Sequence, residues 1–215
     1  MGKQYAQITR NYRMKKEKIG VLGGSFDPAH KAHVAFGSAA ISEAGLDRLL
    51  VMPAYIQPFK REKKVTDEEH RLATARLAFA DIERAEVSSF EIDKQCVSYT
   101  FDTLTALTEM YPDAEIFFTT GSDSFMTLDT WYKGVEMLKK FSFITALRPS
   151  DTEEMLDAKI AEFQGLYGTN VIKLKSKMLD ISSTKVRNAY ASGEDVSELI
   201  PESVAEYIKA NGLYV

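Results

Sequence analysis

The chain has 215 residues, 45% hydrophobic and 27% charged, with a formal net charge of −4. These values fit one α/β domain with a real core; they exclude whole-chain disorder and a general basic field for nucleic acid. One cysteine, Cys96, and three histidines, His30, His33 and His70, exclude an internal disulfide framework, a cysteine-based zinc module and a histidine-rich metal cage.

Apolar runs are a few residues long, far short of the roughly 20 that cross a bilayer, so no membrane partner is expected. Lys3, Arg10, Arg13, Lys15 and Lys16 face the single acid Glu17, with no apolar signal-peptide core. The expectation is a basic extension over residues 1–17, a single domain over 18–215, and a cytoplasmic location. A homo-oligomer is compatible with this composition.

Lys18–Leu22 predicts a buried strand that breaks at Gly23-Gly24 and leads into a helix over Lys31–Ala44. Arg48–Met52 is the next strand, stopped by Pro53, and a loop rich in Pro, Gln and Lys runs to Val65. Thr66 with Glu69 three residues on predicts a capping box for a helix to about Ala80. Ala85–Phe90 reads as a strand. Ser98 opens a helix that carries Leu104 and Leu107 on one face and ends before Pro112. Glu115–Thr119 is a strand ending in Gly121. Thr130–Lys139 reads as a helix, Phe141–Ala146 as a strand closed by Arg148-Pro149, Asp151–Phe163 as a helix and Val171–Leu174 as a strand. Two short helices follow, Ser183–Ala191 and one opened by Pro201 and ended at Gly212. Strand–helix alternation predicts a Rossmann-like α/β fold, a doubly wound parallel sheet with helices on both faces. Right-handed crossovers then put every strand C-terminus on one edge, where ligands bind near the point of reversed strand order.

The first strand runs into Gly23-Gly24-Ser25-Phe26-Asp27-Pro28-Ala29-His30-Lys31-Ala32-His33. Gly23 and Gly24 allow positive φ and a close approach of an anion to the backbone. A helix start after Pro28 offers N–H groups and a partial positive end, a ready phosphate site. His30 and His33, three apart on a helix, share a face there, and protonation would add charge assistance. A metal pair at His-x-x-His is the alternative, without an obvious third ligand. Neither G-x-x-x-x-G-K-S/T nor G-x-G-x-x-G is present. The second cluster is Ile181-Ser182-Ser183-Thr184-Lys185-Val186-Arg187. Its hydroxyls serve equally as simple N-caps. With the N–H groups, Lys185 and Arg187, they also make a second anion cradle, and a polyphosphate can lie between two helix starts.

These segments resemble the paired motifs of the nucleotidyltransferase superfamily, G-G-S/T-F-D-P-x-H-x-G-H and I-S-S-T-x-I/V-R. Within it the chain resembles the bacterial nicotinate mononucleotide adenylyltransferases over roughly residues 18–212. Pro53–Lys60 is similar to their P-x-x-Q-P-P-H-K loop, Ser98–Leu104 to S-Y-T-x-D-T-L, and Gly121-Ser122-Asp123 to G-x-D; Trp131-Tyr132 and Arg148-Pro149 match as well. Ala32 replaces the motif glycine, placing a methyl close to the expected phosphate, and Phe59 stands where histidine often precedes the lysine.

The resemblance implies a fold of nucleotidyltransferase type and transfer of an adenylyl group from ATP to nicotinate mononucleotide, with Mg²⁺ carried by ATP and no metal held by protein ligands. It implies that His30, His33 and Arg187 act on the reacting phosphates. Gly23, Gly24, Ser25, Phe26, Gly121, Asp123, Ile181, Ser182, Ser183 and Thr184 would bind ATP. Asp27, Lys60, Tyr99, Thr100, Trp131, Tyr132 and Arg148 would bind the acceptor. The rival readings are a pantetheine-phosphate or nicotinamide mononucleotide adenylyltransferase and a non-catalytic nucleotide-binding regulator.

Overall fold

Strand β1 (Glu17–Gly24) lies inside a six-stranded sheet and α1 (Lys31–Ala44) follows it. The computed structural model describes residues 16–60 and 65–215. The basic run of the expected extension up to Lys15 lies outside the described residues, while Glu17 already pairs with Ala114 in the sheet. The chain continues through β2 (Arg48–Pro53), α2 (Glu68–Phe79), β3 (Ala85–Val87), α3 (Phe90–Asp93), α4 (Thr100–Met110) and β4 (Ala114–Gly121). It then forms α5 (Ser122–Phe125), α6 (Gly134–Lys140), β5 (Ser142–Ala146), α7 (Glu153–Tyr167), β6 (Asn170–Lys173), α8 (Ser183–Ala191) and α9 (Glu202–Ala210).

All neighbouring strands are parallel, in the order β3-β2-β1-β4-β5-β6. Chain order reverses between β1 and β4, so a crevice opens at their carboxyl ends. Each strand feeds both faces. Ile19 and Val21 join the core with Leu104, Phe118 and Phe143, whereas Leu22 and Phe117 join the core with Phe36, Leu49 and Ile144. The adjacent Phe117 and Phe118 thus point to opposite sides, as the two-residue strand period requires.

Three predicted elements differ. Helix α2 starts at Glu68 with Asp67 as its N-cap and no side-chain cap bond, so the Thr66–Glu69 box does not form. The Thr66 carbonyl instead accepts from Arg71 Nε at 2.8 Å. The strand expected to reach Phe90 stops at Val87, and Phe90 begins α3. The helix expected over Thr130–Lys139 splits: Leu128–Thr130 forms a 3-10 turn, Lys133 adopts a left-handed φ of 52°, and α6 begins at Gly134. Close packing at the break requires glycine, because a Cβ on Gly134 would fall on the Leu128 carbonyl oxygen.

Arg71, 2% exposed, ties the loops of the crevice together. Besides Thr66, its guanidinium donates to the carbonyls of Ser25 (2.9 Å), Ala54 (2.6 Å) and Tyr55 (3.2 Å). Burial draws its pKa down, yet a guanidinium stays charged at any physiological pH. Arg71→Met would strand those carbonyls in the interior. It is expected to cost about 3 kcal/mol in urea unfolding, and a loss below about 1 kcal/mol would contradict the tie.

Candidate active site

The crevice is a cleft of about 410 Å³, bordered by residues 23–26, His33, Tyr99, Thr100, Gly121, Trp131, Tyr132, Arg148 and Ser183. Three helix N-termini, those of α1, α4 and α8, therefore reach one cavity, each carrying amide groups with no intrahelical partner.

The glycine turn works by proximity and not by positive φ. Gly23 and Gly24 finish β1, and the left-handed residue is Phe26, with φ of 50°. A Cβ on Gly24 would sit 3.2 Å from the Phe26 ring, which folds back against the strand end. The Asp27–Pro28 peptide is cis. His30 is the N-cap of α1 in an extended conformation, so the two histidines do not share a helix face. They meet by stacking, with ring centroids 3.6 Å apart and planes at 17°. The His30 N–H donates to His33 Nδ1 at 3.2 Å. A neutral His33 that accepts at Nδ1 carries its proton on Nε2, the nitrogen suited to donate to a phosphoryl oxygen.

Ala32 is 1% exposed and packs with Phe26, Ala29 and Phe36. Its methyl fills core, and the expected crowding of the phosphate does not arise.

His30 is 5% exposed, and its Nδ1 has no hydrogen-bond partner among the described residues. Burial, assisted by the Arg148 charge, lowers its pKa from the ordinary 6.5 to about 3. The charge assistance expected from this imidazole is thus absent at neutral pH. The unfolded chain takes up the proton near 6.5 and the native chain only near 3, so this contribution to stability is full above pH 6.5 and is lost as pH falls. The total is on the order of 5 kcal/mol. His30→Asn, which places a residue favoured at helix N-caps, is expected to flatten the pH dependence of denaturant unfolding between pH 6.5 and 3. An unchanged slope would contradict the neutral, buried imidazole.

Helix α8 meets the early loop directly. Ser183 Oγ donates to the Pro28 carbonyl at 3.0 Å. Arg187 Nη1 donates to the Asp27 carbonyl at 2.7 Å and lies 3.6 Å from Asp27 Oδ2, while Nη2 donates to Thr184 Oγ1 at 3.3 Å. Ser182 caps the helix, its Oγ accepting from the Lys185 N–H at 3.2 Å. Of the hydroxyls in this cluster, Ser183 borders the main cleft, whereas Ser182 and Thr184 border a neighbouring hollow with Lys185, Glu194 and Asp195. Ile181 packs into the core below. Asp27 is 5% exposed and does not border the cleft; its carboxylate faces Arg187 and the Tyr214 hydroxyl.

At the far end, Trp131 borders the cleft, with the exposed Phe59 ring 5.5 Å away and Phe118 at 6.2 Å. Tyr99 and Tyr132 approach to 4.4 Å. No side chain caps α4 at Tyr99. Gly121 is fixed by contact, because a Cβ would lie 2.9 Å from Asp123 Oδ1 and 3.0 Å from Arg148 Nε. Asp123 pairs with Arg148 Nε at 3.2 Å, and the Arg148 N–H donates to Ser122 Oγ at 2.8 Å. Lys60 ends a 3-10 turn, Pro58–Lys60, and its side chain lies outside the described residues.

Sequence reasoning missed four residues. Gln57 accepts from Ser25 Oγ at 2.8 Å, and Glu91, its carboxyl pushed up by burial, accepts from Thr103 Oγ1 at 2.7 Å. Arg71 and Tyr214 act across long sequence separations. Gln57 stood inside a quoted motif; the other three carry no local signal.

An all-parallel sheet with a cleft at its switch point and two interlocked helix starts is a doubly wound architecture of the nucleotide-binding kind. A family model described as cytidylyltransferase-like matches residues 21–189. A relative from Thermoanaerobacter sp. (strain X514), named "Probable nicotinate-nucleotide adenylyltransferase", is 36% identical over 94% of this chain and 96% of its own. Its namesake from Carboxydothermus hydrogenoformans is 35% identical, covering 94% of this chain and all of the relative. The fold matches Plasmodium falciparum nicotinic acid mononucleotide adenylyltransferase complexed with NaAD, with a TM-score of 0.75 at 20% identity over 92% of this chain and 97% of that one. The chain belongs to the cytidylyltransferase-like family and, within it, to the nicotinate-nucleotide adenylyltransferases. Among the described residues no helix is long and apolar enough to cross a membrane.

Proposed function

We propose that the protein transfers the adenylyl group of ATP to nicotinate mononucleotide. An acceptor phosphate oxygen attacks the α-phosphorus of ATP, the bond to the pyrophosphate oxygen breaks, and deamido-NAD and pyrophosphate result. The observation that carries this is the joining of two helix starts 155 residues apart, Ser183 to Pro28, beside one cleft. The nucleophile is already ionised, so no general base is needed. Catalysis then rests on alignment and charge neutralisation. Anionic reactants about 4 Å apart repel by several kcal/mol in a partly dry site, which cations and helix ends must offset.

In this reading residues 23–26 pass beneath the nucleotide, and His33 donates to phosphoryl oxygens beside the neutral His30. The α8 start and Arg187 hold the outer phosphates, and Arg148 supplies a further cation. Gly121 and Asp123 face the ribose. Trp131 stacks on the pyridine ring, and the N–H groups near Thr100 and Tyr132 take its carboxylate. The cleft offers cations and N–H donors suited to phosphate oxygens. Magnesium would come with ATP, on phosphate oxygens and water, and supply further charge neutralisation. The location is the cytoplasm.

The test is pyrophosphate release with ATP, Mg²⁺ and each of three acceptors. Nicotinate mononucleotide is expected to exceed nicotinamide mononucleotide and phosphopantetheine in kcat/KM by roughly a hundredfold or more, since an amide leaves carboxylate-binding donors mismatched. Equal turnover on the amide would refute the acceptor assignment, and no turnover on any acceptor would refute the activity.

A further inference from the structure

The early phosphate loop is held by a residue from the other end of the described chain. Tyr214 follows α9, in a segment where the Leu213 N–H donates to the Ile208 carbonyl at 3.1 Å and both Leu213 and Tyr214 pack on the core. The Tyr214 hydroxyl donates to Asp27 Oδ1 at 2.8 Å, across 187 residues. The other carboxylate oxygen, Oδ2, faces Arg187 Nη1 at 3.6 Å, and the same guanidinium nitrogen is bonded to the Asp27 carbonyl. The Asp27 side chain is only 7% exposed, so water cannot replace a lost partner easily. The Tyr214 backbone takes a left-handed φ of 63°, uncommon for an aromatic residue and tolerated where surrounding contacts over-determine it. Burial pushes the phenol up, so the hydroxyl remains a donor across the working pH range.

We propose that Tyr214 is a positioning residue for adenylyl transfer: its hydroxyl holds the buried Asp27 carboxylate in the orientation that fixes the Arg187 fork against the phosphate loop. Resting on the adenylyl-transfer reading, the inference adds a group that touches neither substrate. A chain without this hydroxyl keeps the ring, its packing and every side chain assigned to phosphate. It loses the direction in which Arg187 is presented.

The decisive variant is Tyr214→Phe. Its kcat is measured by pyrophosphate release, its ATP affinity by titration calorimetry, which needs no turnover, and its folding by thermal unfolding. The expected result is a kcat about tenfold lower and MgATP binding about fivefold weaker, with the KM for nicotinate mononucleotide unchanged and the melting temperature within a few degrees of native. In an Arg187→Ala background the same change is expected to add no further loss, because the group it orients is gone. A loss that disappears in that background supports the proposal. Native kcat with native ATP affinity, or losses that multiply in the Arg187→Ala background, would overturn it. A lowered melting temperature with native kcat per folded molecule would show a structural role alone and overturn it too. Should Tyr214→Phe not fold, a chain ending at Leu213 is read by the same criteria. Absence of turnover in the unmodified enzyme refutes adenylyl transfer, whereas normal turnover with an indifferent variant refutes only the role of Tyr214.

Discussion

Arg187→Ala is expected to lower kcat/KM about a thousandfold in steady-state pyrophosphate release. Its guanidinium is held from two sides, at the Asp27 carbonyl and at Thr184 Oγ1, so in the proposed reaction it would meet a phosphate without reorganising. Charge develops on the pyrophosphate oxygens as the α-phosphorus bond breaks, and a fixed cation there stabilises the transition state more than the ground state. Arg187→Lys keeps the charge and loses the planar fork, so an intermediate loss of about thirtyfold is expected. A loss below about tenfold for the alanine variant would remove Arg187 from the phosphate site.

His33→Ala is expected to lower kcat about a hundredfold while the KM for ATP changes by roughly twofold or less. The ring borders the cleft and is stacked on His30, and the His30 N–H accepted at Nδ1 sets its tautomer. A donor placed this way meets the phosphoryl oxygen best when negative charge accumulates on it, so the loss belongs to kcat. A large rise in KM with unchanged kcat would make His33 a ground-state binding residue instead.

The sheet was legible because its code is local. Glycine-ended apolar runs such as Lys18–Leu22 and Glu115–Thr119 mark parallel strands, and the structure extends each by one residue at its start and two at its end. The helix starts of α1 and α8 were legible for the same reason, since Pro28, Ser182 and Ser183 are short-range signals. What failed depended on packing. The Thr66–Glu69 pattern has the right spacing for a cap, but Arg71 captures the Thr66 carbonyl and the helix begins later. The break at Lys133 and Gly134 accompanies a close contact between Gly134 and the Leu128 carbonyl, a backbone approach that residue types alone do not signal.

The site divides along the same line. The family resemblance grouped His33, Ser183, Trp131 and Arg148, and all four border one cleft. It also grouped Asp27 with the acceptor residues, although burial turns that carboxylate toward Arg187 and Tyr214. The two glycines allow positive φ, but it occurs at Phe26, because β1 runs straight through Gly24. A buried arginine such as Arg71, bound to carbonyls from several loops, has no spacing pattern to read.

A crystal structure with magnesium and a non-hydrolysable ATP analogue is the most direct test of the paired helix starts. The triphosphate is expected in the 410 Å³ cleft, within hydrogen-bond reach of both His33 and the first-turn amides of α8. A triphosphate lying in the hollow beside Thr184 and Lys185, touching α8 alone, would contradict the account.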